Sequence, residues 1–256
     1  MNTKQNIWVV VPAAGVGRRM GSETPKQYLQ LNDKTVIEHT LRVFDLHDAI
    51  SEVVVVISKE DEFWPSLDIK ISKPLHIADG GNERCDSVLN GLKLLESKAD
   101  DTDWVLVHDA ARPCLRKEDL TLMLEILLQD AVGGILAVPV RDTMKRSTAK
   151  NTIKETVERD NLWHALTPQM FRLGLLRAAL ESALKDNQVI TDEASAMELA
   201  GYQPLLIEGH ADNLKITRPE DLALAAFFLR QANLEHRGLG NRDLDNRGLD
   251  NQEEIK

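Results

Sequence analysis

Only two cysteines occur in the 256 residues, Cys85 and Cys114. Neither their number nor their spacing suits a disulfide framework or a thiolate metal site, so both are expected as reduced thiols. No apolar run approaches the roughly 20 residues that a membrane-spanning helix requires. The first residues, Met1–Asn6, hold no apolar signal region, and a cytoplasmic protein with no membrane partner is expected. Excess positive charge is also missing. The net charge of −10 is the opposite of the basic surface a nucleic-acid binder presents, so no nucleic-acid partner is expected. The seven histidines are scattered, with no pair at i, i+4. His108 beside Asp109 invites reading as a catalytic dyad, but neighbours on a strand point to opposite faces, which favours a structural role.

Two familiar phosphate-binding motifs are absent as well. The loop Pro12-Ala13-Ala14-Gly15-Val16-Gly17-Arg18-Arg19-Met20 is not followed by the Lys-Ser or Lys-Thr of a P-loop. Met20 stands where a dinucleotide fingerprint has its third glycine, and Pro25 breaks the segment before an ordinary helix can form. What is present is a buried strand, a run of small residues, and then Arg18, Arg19 and Lys26. Small residues let backbone N–H groups approach a polyphosphate, and clustered cations neutralise its charge. A plain turn has no need of three cations.

The rest of the chain alternates between strand and helix patterns. Hydrophobic residues make up 43%, enough for one large core. Ile7–Val11, Val53–Ile57, Trp104–Val107 and Ile135–Val138 are continuous apolar runs, as in strands buried on both faces. Between them, Val36, Ile37, Leu41 and Phe44, then Val88, Leu92 and Leu95, then Leu120, Leu124 and Leu127 recur at helical spacing, with Gly91 suited to close packing. This order predicts an α/β fold with a doubly wound, mostly parallel sheet, whose ligands sit beyond the carboxyl ends of the strands. The segment 141–159 is polar, basic and Thr-rich, with a turn signal at Ala149-Lys150-Asn151. It reads as a projecting β-hairpin arm, spanning about 139–163, that needs a second surface to lie on; a symmetric partner subunit is the simplest. Thr217-Arg218-Pro219-Glu220 reads as a capping box opening a last helix, with Leu222, Ala225, Ala226 and Leu229 inward. A single domain over 1–233 is expected. Beyond it, 234–256 holds a five-residue Asn/Asp/Gly-rich repeat, too polar to bury and expected to be disordered. A calcium-binding repeat is disfavoured by its length and glycine placement.

Five segments resemble the 2-C-methyl-D-erythritol 4-phosphate cytidylyltransferase family. They are the opening loop with Pro25-Lys26-Gln27, then Gly80–Val88, Val107–Pro113, Pro139–Lys145 and Asp212–Thr217, all in family order. The resemblance implies a nucleotide-diphospho-sugar transferase-like fold and transfer of CMP from CTP to 2-C-methyl-D-erythritol 4-phosphate, with release of pyrophosphate. That is a step of non-mevalonate isoprenoid precursor biosynthesis. It also implies Mg²⁺ and a homodimer whose arm completes the partner's site. By the same resemblance the catalytic residues are Arg19, Lys26 and Lys215. Backbone groups of Ala13, Ala14, Gly15 and Gly17 cradle the nucleotide, and Gly81, Asn82 and Ser87 read cytosine. Asp109, Arg112, Thr143, Arg159 and Lys215 bind the acceptor. Asp109 holds either Mg²⁺ or a substrate hydroxyl, the metal otherwise being held by CTP phosphates. Asp212 is expected to steady Lys215. Thr167 and Thr191-Asp192-Glu193 lie in similar family segments without clear roles, Thr191 being a candidate helix cap.

The chemistry suits those residues. A phosphomonoester has a second pKa near ~6 and is mostly a dianion at neutral pH. It needs no general base, only neutralisation of the charge that builds as one anion attacks another. A cytidylyltransferase for another polyol phosphate, such as ribitol 5-phosphate, and a non-catalytic nucleotide-binding protein are the alternatives.

Overall fold

The computed structural model describes residues 5–15 and 23–247. A seven-stranded sheet forms the centre. In chain order its strands are β1 (Ile7–Pro12), β4 (Glu52–Ile57), β5 (Leu75–Asp79), β6 (Trp104–Val107), β7 (Gly133–Pro139), β10 (Trp163–Arg172) and β11 (Leu205–Glu208). Across the sheet they run β5-β4-β1-β6-β10-β7-β11. The β5-β4-β1-β6 block is parallel, β10 lies antiparallel to both its neighbours, and β11 is parallel to β7. The mostly parallel sheet expected from the sequence is therefore present, with β10 as the reversed strand.

Continuous apolar strands are explained by burial on both faces. Along β1, Val9 and Val11 join a core with Ile37, Leu41 and Phe44 of α1 (Val36–Asp45) and with Leu120, Met123 and Leu127 of α3 (Lys117–Leu127). The alternate residues Trp8 and Val10 join the opposite core. There they meet Val88, Leu92 and Leu95 of α2 (Arg84–Leu95) and Leu176 and Leu180 of α4 (Leu173–Lys185). Period-two alternation thus feeds two helix layers from one strand. Gly91 is where α2 lies closest to the sheet: a Cβ there would come 2.8 Å from Val10 Cγ1 and 3.0 Å from Val56 Cγ2.

Between β7 and β10 the chain leaves the sheet as a separate antiparallel hairpin, β8 (Met144–Ser147) with β9 (Ile153–Val157). Every residue of β8 is exposed. Asn151 takes the left-handed conformation at its turn (φ 57°), which asparagine tolerates better than most residues. A short helix, α5 (Glu193–Leu199), follows α4.

The last helix, α6 (Pro219–Arg247), differs from expectation at both ends. Thr217 N–H and Oγ1 and the Arg218 N–H all donate to Asp221 Oδ2 at 2.8, 3.0 and 2.9 Å. The reciprocal carboxylate is therefore Asp221 rather than Glu220, because the helix starts at Pro219 and Asp221 is its third residue. At the other end the helix runs to Arg247, past residue 233 where the domain was expected to end. No proline interrupts the segment after 219. Residues 248–256, the end of the expected tail, lie outside the described residues.

Candidate active site

A cleft of about 270 Å³ opens where β1, β5 and β6 end. Its walls bring together Ala13, Ala14, Gly15, Lys26, Gly81, Asn82, Ser87, Asp109 and Lys215, from four distant segments of sequence. Gly17, Arg18 and Arg19 lie outside the described residues. Thr143 and Arg159 are exposed on the arm and do not line the cleft of their own chain. Arg159 donates instead to the Arg141 carbonyl, and its N–H donates to Glu158 Oε1 at 3.2 Å.

The loop after β1 is fixed by Gln27, whose Nε2 donates to the carbonyls of Ala13 (2.6 Å) and Gly15 (3.1 Å). Ala13 was expected to offer backbone groups to the nucleotide. Its N–H donates to Val56 O at 2.7 Å, so it contributes to the wall rather than a phosphate-facing donor. Lys26 Nζ donates to Ile216 O at 3.0 Å, tying the loop to a segment 190 residues away.

The turn after β5 is tight for a physical reason. A Cβ on Gly80 would fall 2.4 Å from Ala14 Cβ, and one on Gly81 would fall 2.2 Å from Asp86 Cβ. Ser87 braces the turn from below. Its Oγ accepts from Gly81 N–H at 3.0 Å and donates to Glu83 O at 3.1 Å. One hydroxyl lone pair is left for a ligand.

Asp109 is the electrostatic centre. Its side chain is 8% exposed. Oδ1 accepts from Arg84 Nε at 3.1 Å, and Oδ2 meets Lys215 Nζ at 2.9 Å and Arg112 Nε at 3.3 Å. Burial alone would raise the carboxyl, but Arg84, then Lys215 and Arg112, outweigh it and hold it well below the usual carboxylate range. For Arg84, burial acts to lower the guanidinium; Glu193 and Asp109 more than reverse that and raise it. Arg112 is held behind Asp109 rather than in the cleft wall. Its Nη1 donates to Asn213 O at 2.7 Å, and Asn213 Nδ2 donates to Thr167 O at 2.8 Å.

His108 is not a base for this site. Its Nε2 lies 3.0 Å from the Arg112 carbonyl, which only accepts, so Nε2 carries the proton. Burial pushes the imidazole down to about 4, so the ring is neutral and Nδ1 is an acceptor. Thr167 Oγ1, 3.0 Å away, therefore donates to Nδ1 and accepts the Asp109 N–H at 3.1 Å. This buried chain gives Thr167 a role: it fixes the backbone of Asp109.

Two smaller expectations are corrected. Asp212 pairs with Arg116, whose Nε and Nη2 lie 2.7 and 2.5 Å from Oδ2; the carboxylate that holds Lys215 is Asp109. The cap of α5 is Asp192, whose Oδ1 accepts Ser195 N–H at 2.9 Å, while Thr191 uses its N–H on Ser195 Oγ. The sequence placed Arg84 and Glu193 in segments similar to the family but gave neither a role. Nothing local marks a bond between residues 109 positions apart.

The residues offer Mg²⁺ little. Among the described residues no group of three or more His, Cys, Asp or Glu side chains converges as a metal site. Both oxygens of Asp109 are taken by cations. A divalent ion fits here only as a partner of ligand phosphates, in the way Mg²⁺ commonly binds. Both thiols are shifted away from the thiolate form. Burial, with a smaller push from Asp212, raises Cys114 to about 12, and burial followed by Asp86 raises Cys85.

Comparison with known proteins decides the family. The model of the 2-C-methyl-D-erythritol 4-phosphate cytidylyltransferase family matches residues 7–231. The chain belongs to this family. Its relatives include the enzyme of that name from Tolumonas auensis, 54% identical over 231 residues, covering 90% of this chain and all of the relative. The one from Pseudomonas aeruginosa PAO1 is 57% identical over 217 residues, 84% of this chain and 93% of the relative. Among solved structures, the Francisella tularensis 2-C-methyl-D-erythritol 4-phosphate cytidylyltransferase superposes with a TM-score of 0.76 at 37% identity. That match covers 87% of this chain and 99% of that one. The Thermus thermophilus enzyme gives 0.72 at 30%, over 88% and 99%. The family explains why four of the five resembling segments, scattered along the chain, hold the lining of one cleft, while the fifth, Pro139–Lys145, leads into the arm.

Proposed function

We propose that the cleft transfers CMP from CTP to 2-C-methyl-D-erythritol 4-phosphate and releases pyrophosphate. The observation that carries this reading is the convergence of Lys26, Lys215 and Asp109 with the Gly80–Ser87 turn in one cleft of a chain that belongs to this family. In the reaction a phosphate oxygen of the acceptor attacks the α-phosphorus of CTP. A new P–O bond forms, the bond to the bridging oxygen of the β-phosphate breaks, and its electron pair leaves with pyrophosphate. The acceptor is already a dianion, so no side chain must remove a proton. Lys26, together with Arg19, neutralises charge on the α-phosphate as it builds, while Lys215 holds the acceptor phosphate. The turn at Gly80-Gly81 is assigned the selection of a pyrimidine over a purine, a reading supported by its close packing on Ala14 and Asp86. Mg²⁺ would be held by the phosphates of CTP rather than by side chains and would add to the neutralisation of their charge. The arm, with Thr143 and Arg159, reaches the site of a second subunit in a homodimer. That assignment is supported by their exposure and by their absence from the lining of their own cleft.

An acceptor panel tests the reading. Pyrophosphate release from CTP is expected with 2-C-methyl-D-erythritol 4-phosphate and to fall at least about a hundredfold in kcat/KM with ribitol 5-phosphate. Comparable rates with both would point to a broader polyol-phosphate enzyme.

A further inference from the structure

Arg84, half-buried in the cleft wall, and the buried Glu193 form an ion pair that the reaction described above does not use. Arg84 opens α2 and Glu193 opens α5. The pair is bidentate: Nη1 lies 2.6 Å from Oε1 and Nη2 3.1 Å from Oε2. Arg84 Nε is left for Asp109 Oδ1 at 3.1 Å. The Glu193 side chain is 1% exposed. We propose that Glu193 is a positioning residue for the acceptor half of the reaction, acting through Arg84 on Asp109; this rests on the function proposed above.

The frame around Glu193 is built independently of Arg84. Gln169 of β10 donates to Asp192 Oδ2 at 2.8 Å and accepts Ala194 N–H at 2.8 Å. Gln169 pairs with Val107 of β6, two residues before Asp109. Glu193 and Asp109 are thus presented from one rigid ladder, and a planar guanidinium spans them. Its fork on Glu193 fixes the direction of Nε, and Nε occupies Asp109 Oδ1. Oδ2 is then the oxygen that faces Lys215 and Arg112. Glu193 in this way decides which carboxylate oxygen holds the lysine that meets the acceptor phosphate. Lysine in place of Arg84 keeps the charge but cannot span two carboxylates with a fixed fork.

A pair that only ties α2 to α5 would weaken stability and affect both substrates alike. One that acts through Asp109 on Lys215 affects the acceptor selectively. The test is pyrophosphate release by Glu193→Gln and Arg84→Lys, each substrate titrated in turn, well below the melting temperature of each variant. Both variants are expected to lose about 10- to 100-fold in kcat/KM for 2-C-methyl-D-erythritol 4-phosphate while KM for CTP moves less than about threefold. Parameters near those of the parent, or equal losses on both substrates, would overturn the inference. Should Glu193→Gln fail to fold, Glu193→Asp and Arg84→Lys read the same split. An inactive parent would remove the proposed function and this inference together; an active parent without the split removes the inference alone.

Discussion

At the scale of single residues, the cleft is a cation cluster organised by one carboxylate. Lys26 lines the same cleft as Asp109 and donates to a backbone carbonyl. Lys26→Ala should lower kcat by about 10²- to 10³-fold, the usual effect of removing one charge-stabilising donor, with an unchanged circular dichroism spectrum. Near-parental turnover would refute its role. His108 carries a pH dependence whose sign follows from its burial. The folded ring protonates near 4, below the ordinary value of about 6.5. The unfolded chain therefore binds the extra proton between those values. The stabilisation is complete above about 6.5 and is lost as pH falls towards 4, amounting to about 3 kcal/mol. Nitrogen NMR of the imidazole should show a neutral Nε2–H ring at pH 5.5; a charged ring there would contradict the assignment. The residues that the sequence made legible were those in compact motifs, such as Lys26, Asp109 and Lys215. Arg84 and Glu193 each lay in such a segment, but their pairing was not legible, because a bidentate contact depends on how two helices begin in space. Asp212 misled for the same reason: closeness in sequence to Lys215 did not make it the nearest carboxylate.

At the scale of elements, the strands were legible because burial on both faces leaves long apolar runs with no polar interruption. β10 was not, since its residues Trp163–Arg172 mix polar and apolar types around Thr167 and Gln169, which are buried and accept the backbone N–H groups of Asp109 and Ala194. Gly91 was legible as a close-packing position, and it yields a stability prediction. Val10 and Val56 are fully buried and cannot move aside. Gly91→Val should therefore destabilise by about 2–3 kcal/mol through overpacking, read as a lower urea midpoint at unchanged slope. No loss would mean α2 is free to shift. The arm yields a second prediction. Mixing a Lys26→Ala subunit with an Arg159→Ala subunit should restore activity, because a mixed dimer has one site with both residues intact; about a quarter of parental activity is expected at random reassortment. No recovery in a mixture shown to exchange subunits would place Arg159 in its own chain's site.

At the scale of the whole molecule, the chain gathers the carboxyl ends of β1, β5 and β6 around one crevice, and the antiparallel β10 supports it from behind, Thr167 through the Asp109 N–H and Gln169 through Asp192 and the Ala194 N–H. The family match ends at 231 and the cleft lining ends at Lys215, so the site is complete before α6 runs on to Arg247. The central claim is that this crevice is a cytidylyltransferase site. It is tested most directly by pyrophosphate release from each of the four nucleoside triphosphates, with 2-C-methyl-D-erythritol 4-phosphate and Mg²⁺ present or withheld in turn. Release is expected with CTP, at least about a hundredfold above ATP and GTP in kcat/KM, and only with acceptor and metal both present. Release from purine triphosphates at the same rate, or none from folded protein with CTP, would contradict the account.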